Sequence, residues 1–213
     1  MNIEQRPAHS GNYTAGRSAN VDRIVIHVAD GTYGGTLAWF ADPACNASAH
    51  YTVAADGRVG QSVSEKATAW HSGEWAMNAR SIGIEHEGKQ NPANPWKPTE
   101  AQLAASAELV ADICRRWGIP ADRQHIIGHN EVNPNRAARR NCPGTGWPWD
   151  TFLKLVNQRL NVAELPAHQP DRRDQRPVRI FNPETNTQIA TGTLIVGTDK
   201  VYLPPDQIAL LKK

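Results

Sequence analysis

Two short apolar runs in this chain end in histidine, and they limit the fold more than any other feature. One is Ile24-Val25-Ile26-His27, and the other leads through Ile126-Ile127-Gly128 to His129. Short continuous runs of this kind, bounded by polar residues, read as buried strands. Strands are therefore expected over Arg23 to Ala29 and Gln124 to Gly128, each presenting an imidazole from a rigid element. Alternation on the first puts His27 on the face of Val25 and away from Ile26 and Val28. Thirteen positions beyond His129 stands Cys142, in the proline-glycine turn Asn141-Cys142-Pro143-Gly144. Imidazole nitrogen and thiolate sulfur are the donors a borderline-soft cation such as zinc prefers, and a catalytic site of that type uses three protein ligands with a fourth position open. His27, His129 and Cys142 are the candidate set, although a lone histidine at a strand end also has a structural or solvent-facing reading.

The segments between these runs supply further strands and helices. Gly34 to Asp42 reads as a short helix carrying Leu37, Trp39 and Phe40. The stretch SAHYTVAADGRVGQSV alternates and breaks at Asp56-Gly57, which predicts a hairpin with a two-residue turn and strands near Ala49 to Ala54 and Arg58 to Val63. On the first of these strands Tyr51 shares a face with Ala49 and Val53. It reads either as a core aromatic with a satisfied hydroxyl or as a hydrogen-bonding group at a site. Thr68 to Gly73, TAWHSG, reads as a loop in which Trp70 and His71 suit either a groove wall or an ordinary surface. In the strand Arg80 to Gly88, Ile82, Ile84 and His86 face one way and Gly83, Glu85 and Glu87 the other. A carboxylate inside an apolar strand is costly unless it is paired, hydrogen-bonded or used, and Glu85 lies deeper in the run than Glu87. Thr99 and Gln102 form a capping-box signature for a helix ending near Trp117 and Gly118, which places Cys114 in the core. Asp150 is expected to cap a last helix ending near Val162.

Strands alternating with helices give an α/β fold, a central mixed sheet flanked by helices. The organisation expected is an N-terminal surface arm over residues 1–22, a main domain over 23–162 and a proline-bounded linker over 163–177. A small module with two short strands and a final amphipathic turn at Gln207 to Leu211 fills 178–213, too short for a self-sufficient core. Twenty-three basic and 21 acidic residues leave a net charge of +2. That balance argues against nucleic acid as the main partner while tolerating an anionic polymer. The three cysteines have no pairing pattern of a disulfide scaffold, and a Cys45 to Cys114 bridge has no support in the sequence. No signal-peptide run and no window of 18 apolar residues occurs, so membrane insertion and classical export are not expected.

Taken in order, IVIHV, SAHYTVAADGRVGQ, AWHSG, NARSIGIEHEG, HIIGHNEV and NCPGTGWPW resemble the zinc-dependent N-acetylmuramoyl-L-alanine amidases, the superfamily that includes peptidoglycan recognition proteins and phage lysozyme-like amidases. The resemblance covers roughly Asn20 to Val156. It implies His27, His129 and Cys142 as ligands of one zinc ion, and cleavage of the amide between N-acetylmuramic acid and the L-alanine of the peptidoglycan stem peptide. It further implies Glu85 as general base and then proton donor, Tyr51 as a sharing or orienting group, and His71, with Trp70, as a groove contact to muropeptide. Many members carry a lysine two positions before the last ligand. Arg140 stands there in this chain, able to stabilise an oxyanion but not to donate a proton. The implied setting is the cell wall, reached as a phage endolysin or as a secreted autolysin, with oligomeric state unspecified. Two other readings stay open: a non-catalytic peptidoglycan-binding protein, and a cysteine hydrolase with Cys142 as nucleophile and His129 as base.

Overall fold

A computed structural model describes residues 1–91, 93–132, 141–162, 175–181, 188–195 and 201–202. In chain order the elements are β1 (Ile3–Gln5), a 3-10 turn (Ser10–Asn12), β2 (Tyr13–Thr14), β3 (Arg23–Val28), α1 (Tyr33–Ala41), β4 (Tyr51–Val53), β5 (Val59–Gln61), β6 (Thr68–Ala69), α2 (Trp75–Arg80), β7 (Ser81–His86), α3 (Glu100–Trp117), β8 (Ile126–Gly128), α4 (His129–Val132) and α5 (Trp149–Val162). Three more strands follow, β9 (Gln175–Phe181), β10 (Gln188–Ile195) and β11 (Val201–Tyr202). The chain divides into two compact units, Met1–Glu164 and Leu165–Lys213.

The first unit is built on a six-stranded mixed sheet in the order β1-β5-β4-β7-β3-β8. Only β4 and β5 pair antiparallel, as a hairpin, and the other neighbours run parallel. The hairpin loop has three residues rather than the expected two: Ala54 N–H donates to Arg58 O, and Gly57, at φ +90°, closes the turn. A third residue in the left-handed region, glycine here, is what a three-residue hairpin loop requires.

One face of the sheet is a continuous apolar layer. Ile24 and Ile26 of β3, Tyr51 and Val53 of β4, Ile82 and Ile84 of β7 and Ile126 of β8 meet Leu103, Ala107, Val110, Ile113 and Cys114 of α3 and Phe152 and Val156 of α5. The spacing on α3 is the i, i+3, i+4, i+7 stripe of an amphipathic helix. Burial pushes the Cys114 thiol up to about 12, so it is a packing group. Thr99 Oγ1 accepts from Gln102 N–H as expected, but the Gln102 side chain donates instead to Val53 O and Glu87 O, tying the helix start to the sheet. On the opposite face α1 lies against β5 at Gly60, where a Cβ would stand 2.8 Å from the Tyr33 hydroxyl oxygen. That leaves the β7, β3 and β8 part of this face for the groups described below.

The N-terminal segment is not the surface arm that was expected. Ile3–Gln5 pairs with β5 as the edge strand, and Tyr13–Thr14 pairs with β6. Arg17 donates to the carbonyls of Glu65, Ala79 and Ser81. Strands of two or three residues are too short to carry a readable period, which is why composition alone suggested an arm. Helix α2 was likewise unanticipated, and Asp150 falls in the first turn of α5, which begins at Trp149. Cys45 and Cys114 do not form a disulfide with each other.

The second unit contains an antiparallel sheet in the order β11-β10-β9. Its first strand begins at Gln175, inside the stretch read as linker, and Pro177 lies opposite Thr193 within it. The final turn expected at Gln207 to Leu211 lies outside the described residues.

Candidate metal centre and cleft

Neighbouring strands and two turns converge on one point. Strands β3 and β7 run parallel with His27 opposite Glu85, so both side chains stand on the same face. Strand β8 flanks β3 on its other side and ends at Gly128, and His129 opens α4 immediately after it. A Cβ at Gly128 would lie 2.9 Å from Pro143 Cδ, so the missing side chain lets the turn after Cys142 approach. The Cys142–Pro143 peptide is cis, Asn130 N–H donates to Cys142 O, and Val28 N–H points at Cys142 Sγ, 3.4 Å away. His27 Nδ1 is 2.9 Å from His129 Nδ1 and 3.8 Å from Cys142 Sγ, and the three ligand atoms all lie within 4.8 Å of one another.

The hydrogen-bond partners decide what this cluster can hold. His129 Nε2 lies 3.1 Å from the carbonyl oxygen of Ser72. A carbonyl only accepts, so the Nε2 carries the proton and Nδ1 keeps its lone pair. His27 Nε2 faces His71 Nδ1 at 3.0 Å. The Nδ1 lone pairs are thus aimed at one another and at a sulfur, a set that fits a cation. Tetrahedral zinc with its usual bond lengths sets nitrogen ligands about 3.3 Å apart and a nitrogen and a sulfur about 3.6 Å apart, near the 2.9 Å between His27 and His129 and the 3.8 Å between His27 and Cys142.

Glu85 stands beside His27. Its Oε1 is 3.8 Å from His27 Nδ1, while Oε2 is buried with no hydrogen-bond partner among the described residues. Burial pushes this carboxyl up to about 8. A carboxyl so poised is a candidate for proton transfer near neutrality, and a nearby cation would favour its ionised form. Thr52 stands opposite Glu85 across β4 and β7 and is fully buried, its Oγ1 also unpartnered among the described residues. Thr52 belongs to no motif of its own in the sequence, and alternation with Tyr51 is the signal that points to it.

Tyr51, expected at the site, is on the other face of the sheet. It belongs to the core beneath α3, donates its hydroxyl hydrogen to Glu65 Oε1 at 2.8 Å and accepts from Gln61 Nε2 at 3.1 Å. Burial and the Glu65 charge raise its pKa well above the usual tyrosine range. Alternation is the physical reason, since Thr52 is the residue of β4 that stands on the face of Glu85 and His27. Trp70 donates its indole N–H to Thr14 Oγ1 on β2, and His71 is buried against His27 with its ring lying over Gly83. Arg140 lies outside the described residues. Of the other histidines, His86 bonds His27 O and Ser106 Oγ, and His125 pairs with Asp122.

A cleft of about 340 Å³ opens beside Glu85, lined by Gly31, Gly35, Thr36, Trp39 and Phe40 among others. Trp39 is 52% exposed while its helix neighbours Leu37 and Phe40 are buried. An indole left in solvent beside a candidate site was legible in principle, as the one bulky apolar residue off the buried stripe of α1.

The model of the N-acetylmuramoyl-L-alanine amidase family matches residues 17–145, which include all three candidate ligands. The chain belongs to that family. N-acetylmuramoyl-L-alanine amidase A of Achromobacter lyticus is 33% identical over 168 residues, covering 71% of this chain and 91% of that protein. The 1,6-anhydro-N-acetylmuramyl-L-alanine amidase AmpD of Haemophilus influenzae is also 33% identical, over 51% of this chain and 58% of the relative. Among solved structures, a selenomethionine derivative of AmpD superposes with a TM-score of 0.59 at 26% identity, covering 72% of this chain and 94% of that one. Escherichia coli AmiD in complex with the substrate anhydro-N-acetylmuramic acid-L-Ala-D-gamma-Glu-L-Lys gives 0.55 at 26% identity, covering 65% and 59%. For an amidase of this family, the mixed sheet with flanking helices is the shared scaffold. No helix among the described residues is long and apolar enough to cross a membrane.

Proposed function

We propose that this chain hydrolyses the amide between the lactyl group of N-acetylmuramic acid and the L-alanine of the peptidoglycan stem peptide, using one zinc ion held by His27, His129 and Cys142. The observation that carries the reading is the pair of facing Nδ1 atoms with a thiol sulfur beside them and the Glu85 carboxyl next to His27, its Oε2 without a hydrogen-bond partner among the described residues. When bound, zinc supplies Lewis acidity at the scissile carbonyl and lowers the pKa of water at its open position.

The chain's own residues supply the remaining parts. Glu85 takes the proton of the attacking water and returns it to the amine nitrogen of L-alanine as that nitrogen leaves. The cleft beside Glu85 orients the muropeptide, with the Trp39 indole offering a flat apolar face. Arg140 is assigned to electrostatic support of the oxyanion. The cell wall is the proposed place of action, whether the chain arrives as a phage endolysin or as an autolysin. Catalysis is assigned to residues 23–162, within the first compact unit.

Mass spectrometry of purified peptidoglycan after digestion tests this reading, with and without chelator and with Cys142→Ala and Glu85→Ala in parallel. Release of stem peptides with a free L-alanine amine, lost on chelation and in both variants, is expected. Activity that survives chelation and is lost on thiol alkylation would instead identify a cysteine hydrolase. Binding to the wall without product would identify a recognition protein.

A further inference from the structure

Both candidate histidine ligands are held by the same two-residue piece of loop. His71 and Ser72 follow β6, and each turns a different group toward the metal centre. The His71 side chain meets His27 Nε2 at 3.0 Å, and the Ser72 carbonyl meets His129 Nε2 at 3.1 Å.

The proton order along the first path is fixed from its far end. Ser81 Oγ–H donates to Met77 O at 2.6 Å, and Ser81 Oγ lies 3.1 Å from His71 Nε2. With its hydrogen directed to a carbonyl, the hydroxyl oxygen accepts from His71 Nε2–H. His71 Nδ1 then carries a lone pair and accepts from His27 Nε2–H, which leaves His27 Nδ1 as a donor atom for metal. The second path is shorter, because the Ser72 carbonyl imposes the same tautomer on His129 directly.

The loop is itself fixed. Asn78 of α2, 5% exposed, accepts with one oxygen from His71 N–H at 3.2 Å and from Ser72 N–H at 2.8 Å. On β7, Gly83 makes room for the imidazole: a Cβ there would stand 2.3 Å from His71 Cγ. Asn78, Ser81 and Gly83 are far from His71 and Ser72 in neither space nor purpose, yet none touches the candidate ligand atoms in the contacts described.

We infer that Asn78, His71 and Ser81 are positioning residues for metal capture, acting through the His71–Ser72 loop to set the tautomer and ring orientation of both histidines. This rests on the proposed three-ligand site. It gives His71 a role different from the groove contact implied by the resemblance, and partners of this type typically alter metal affinity 10–100-fold when removed.

The test is zinc affinity of the full chain, measured by competition with a chromophoric chelator, together with KM for muropeptide at saturating zinc. His71→Ala and Asn78→Ala are expected to weaken zinc binding about 10–100-fold, with KM little changed. His71→Gln, which can accept and donate in the same order, and Asn78→Asp, which keeps the acceptor, are expected to recover most of the affinity. Recovery in these conservative variants also separates positioning from failure to fold. Unchanged zinc affinity in a folded His71→Ala protein with a raised KM would overturn the inference and leave the proposed ligands standing. If wild-type protein takes up no zinc, or Cys142→Ala binds it as tightly as wild type, the ligand reading fails and this inference falls with it.

Discussion

His27 and His129 are 102 positions apart in sequence, yet their Nδ1 atoms face each other at 2.9 Å while both Nε2 atoms turn to acceptors. Adjacent parallel strands make the meeting possible, since β8 runs beside β3 and ends one residue before His129. Two imidazole lone pairs at this separation repel without a cation or proton between them. A proton or a cation between them stabilises the arrangement, and the proposed zinc ion would supply the latter.

Zinc is accordingly expected to raise the melting temperature of the metal-free protein. Free zinc at 100 times its dissociation constant adds about 2.7 kcal/mol of stability by mass action. Calorimetry with and without chelator measures this. Cys142→Ala should lose most of the increment, and an equal increment in wild type and variant would show that the metal binds elsewhere.

Glu85→Gln should lower kcat by about 10²- to 10⁴-fold, the usual range for loss of a positioned acid-base group. Zinc affinity should stay within a few fold of wild type, because the proposed ligands are untouched. The metal-free variant should be at least as stable as wild type, since a neutral amide in this buried position carries no charge to desolvate. Steady-state kinetics beside thermal denaturation would separate the two effects, and a variant with wild-type kcat would remove Glu85 from the reaction.

Tyr51→Phe should leave kcat within about threefold of wild type and cost about 1 kcal/mol of stability, the typical worth of a lost buried hydrogen bond. The hydroxyl bonds Glu65 and Gln61 beneath α3, on the face of the sheet away from His27. A hundredfold loss of kcat with native stability would contradict this placement.

Acid should destabilise the fold through His50. The imidazole is fully buried, accepts Gly83 N–H at Nδ1 and has the Arg17 guanidinium 2.8 Å from Nε2, with the His71 ring centroid 5.9 Å away. Burial first, and the Arg17 charge second, lower its pKa to about 3. The unfolded chain takes up a proton near pH 6.5 that the folded chain refuses. The His50 contribution is thus fully present above about pH 6.5 and declines by up to about 1.4 kcal/mol per pH unit as pH falls toward 3. Denaturant melts between pH 4 and 7 should show a shallower slope for His50→Gln, and an unchanged slope would place the titration elsewhere.

Much of this protein is already written in local pattern. The β-branched run before His27 specifies a strand buried on both faces, and the stripe from Leu103 to Cys114 specifies a helix on one side of a sheet. The order of the histidine, glutamate and cysteine motifs indicates a family even though each motif alone is weak. Alternation also assigns Glu85 and His27 to faces of their strands, because a pleated strand turns every second side chain the same way.

Which faces coincide was decided only in three dimensions. Tyr51 follows the same alternation as Glu85, but strand pairing puts it with Ile84 toward α3 and leaves Thr52 opposite Glu85. His71 sits in a loop with no period at all, and its direction depends on Asn78, on the gap left by Gly83 and on the β2–β6 pairing that holds the start of the loop. Sequence determines what each element is through interactions a few residues apart. The donor atoms of the candidate site meet through strand register and hydrogen bonds spanning up to 115 positions, information that no local window contains.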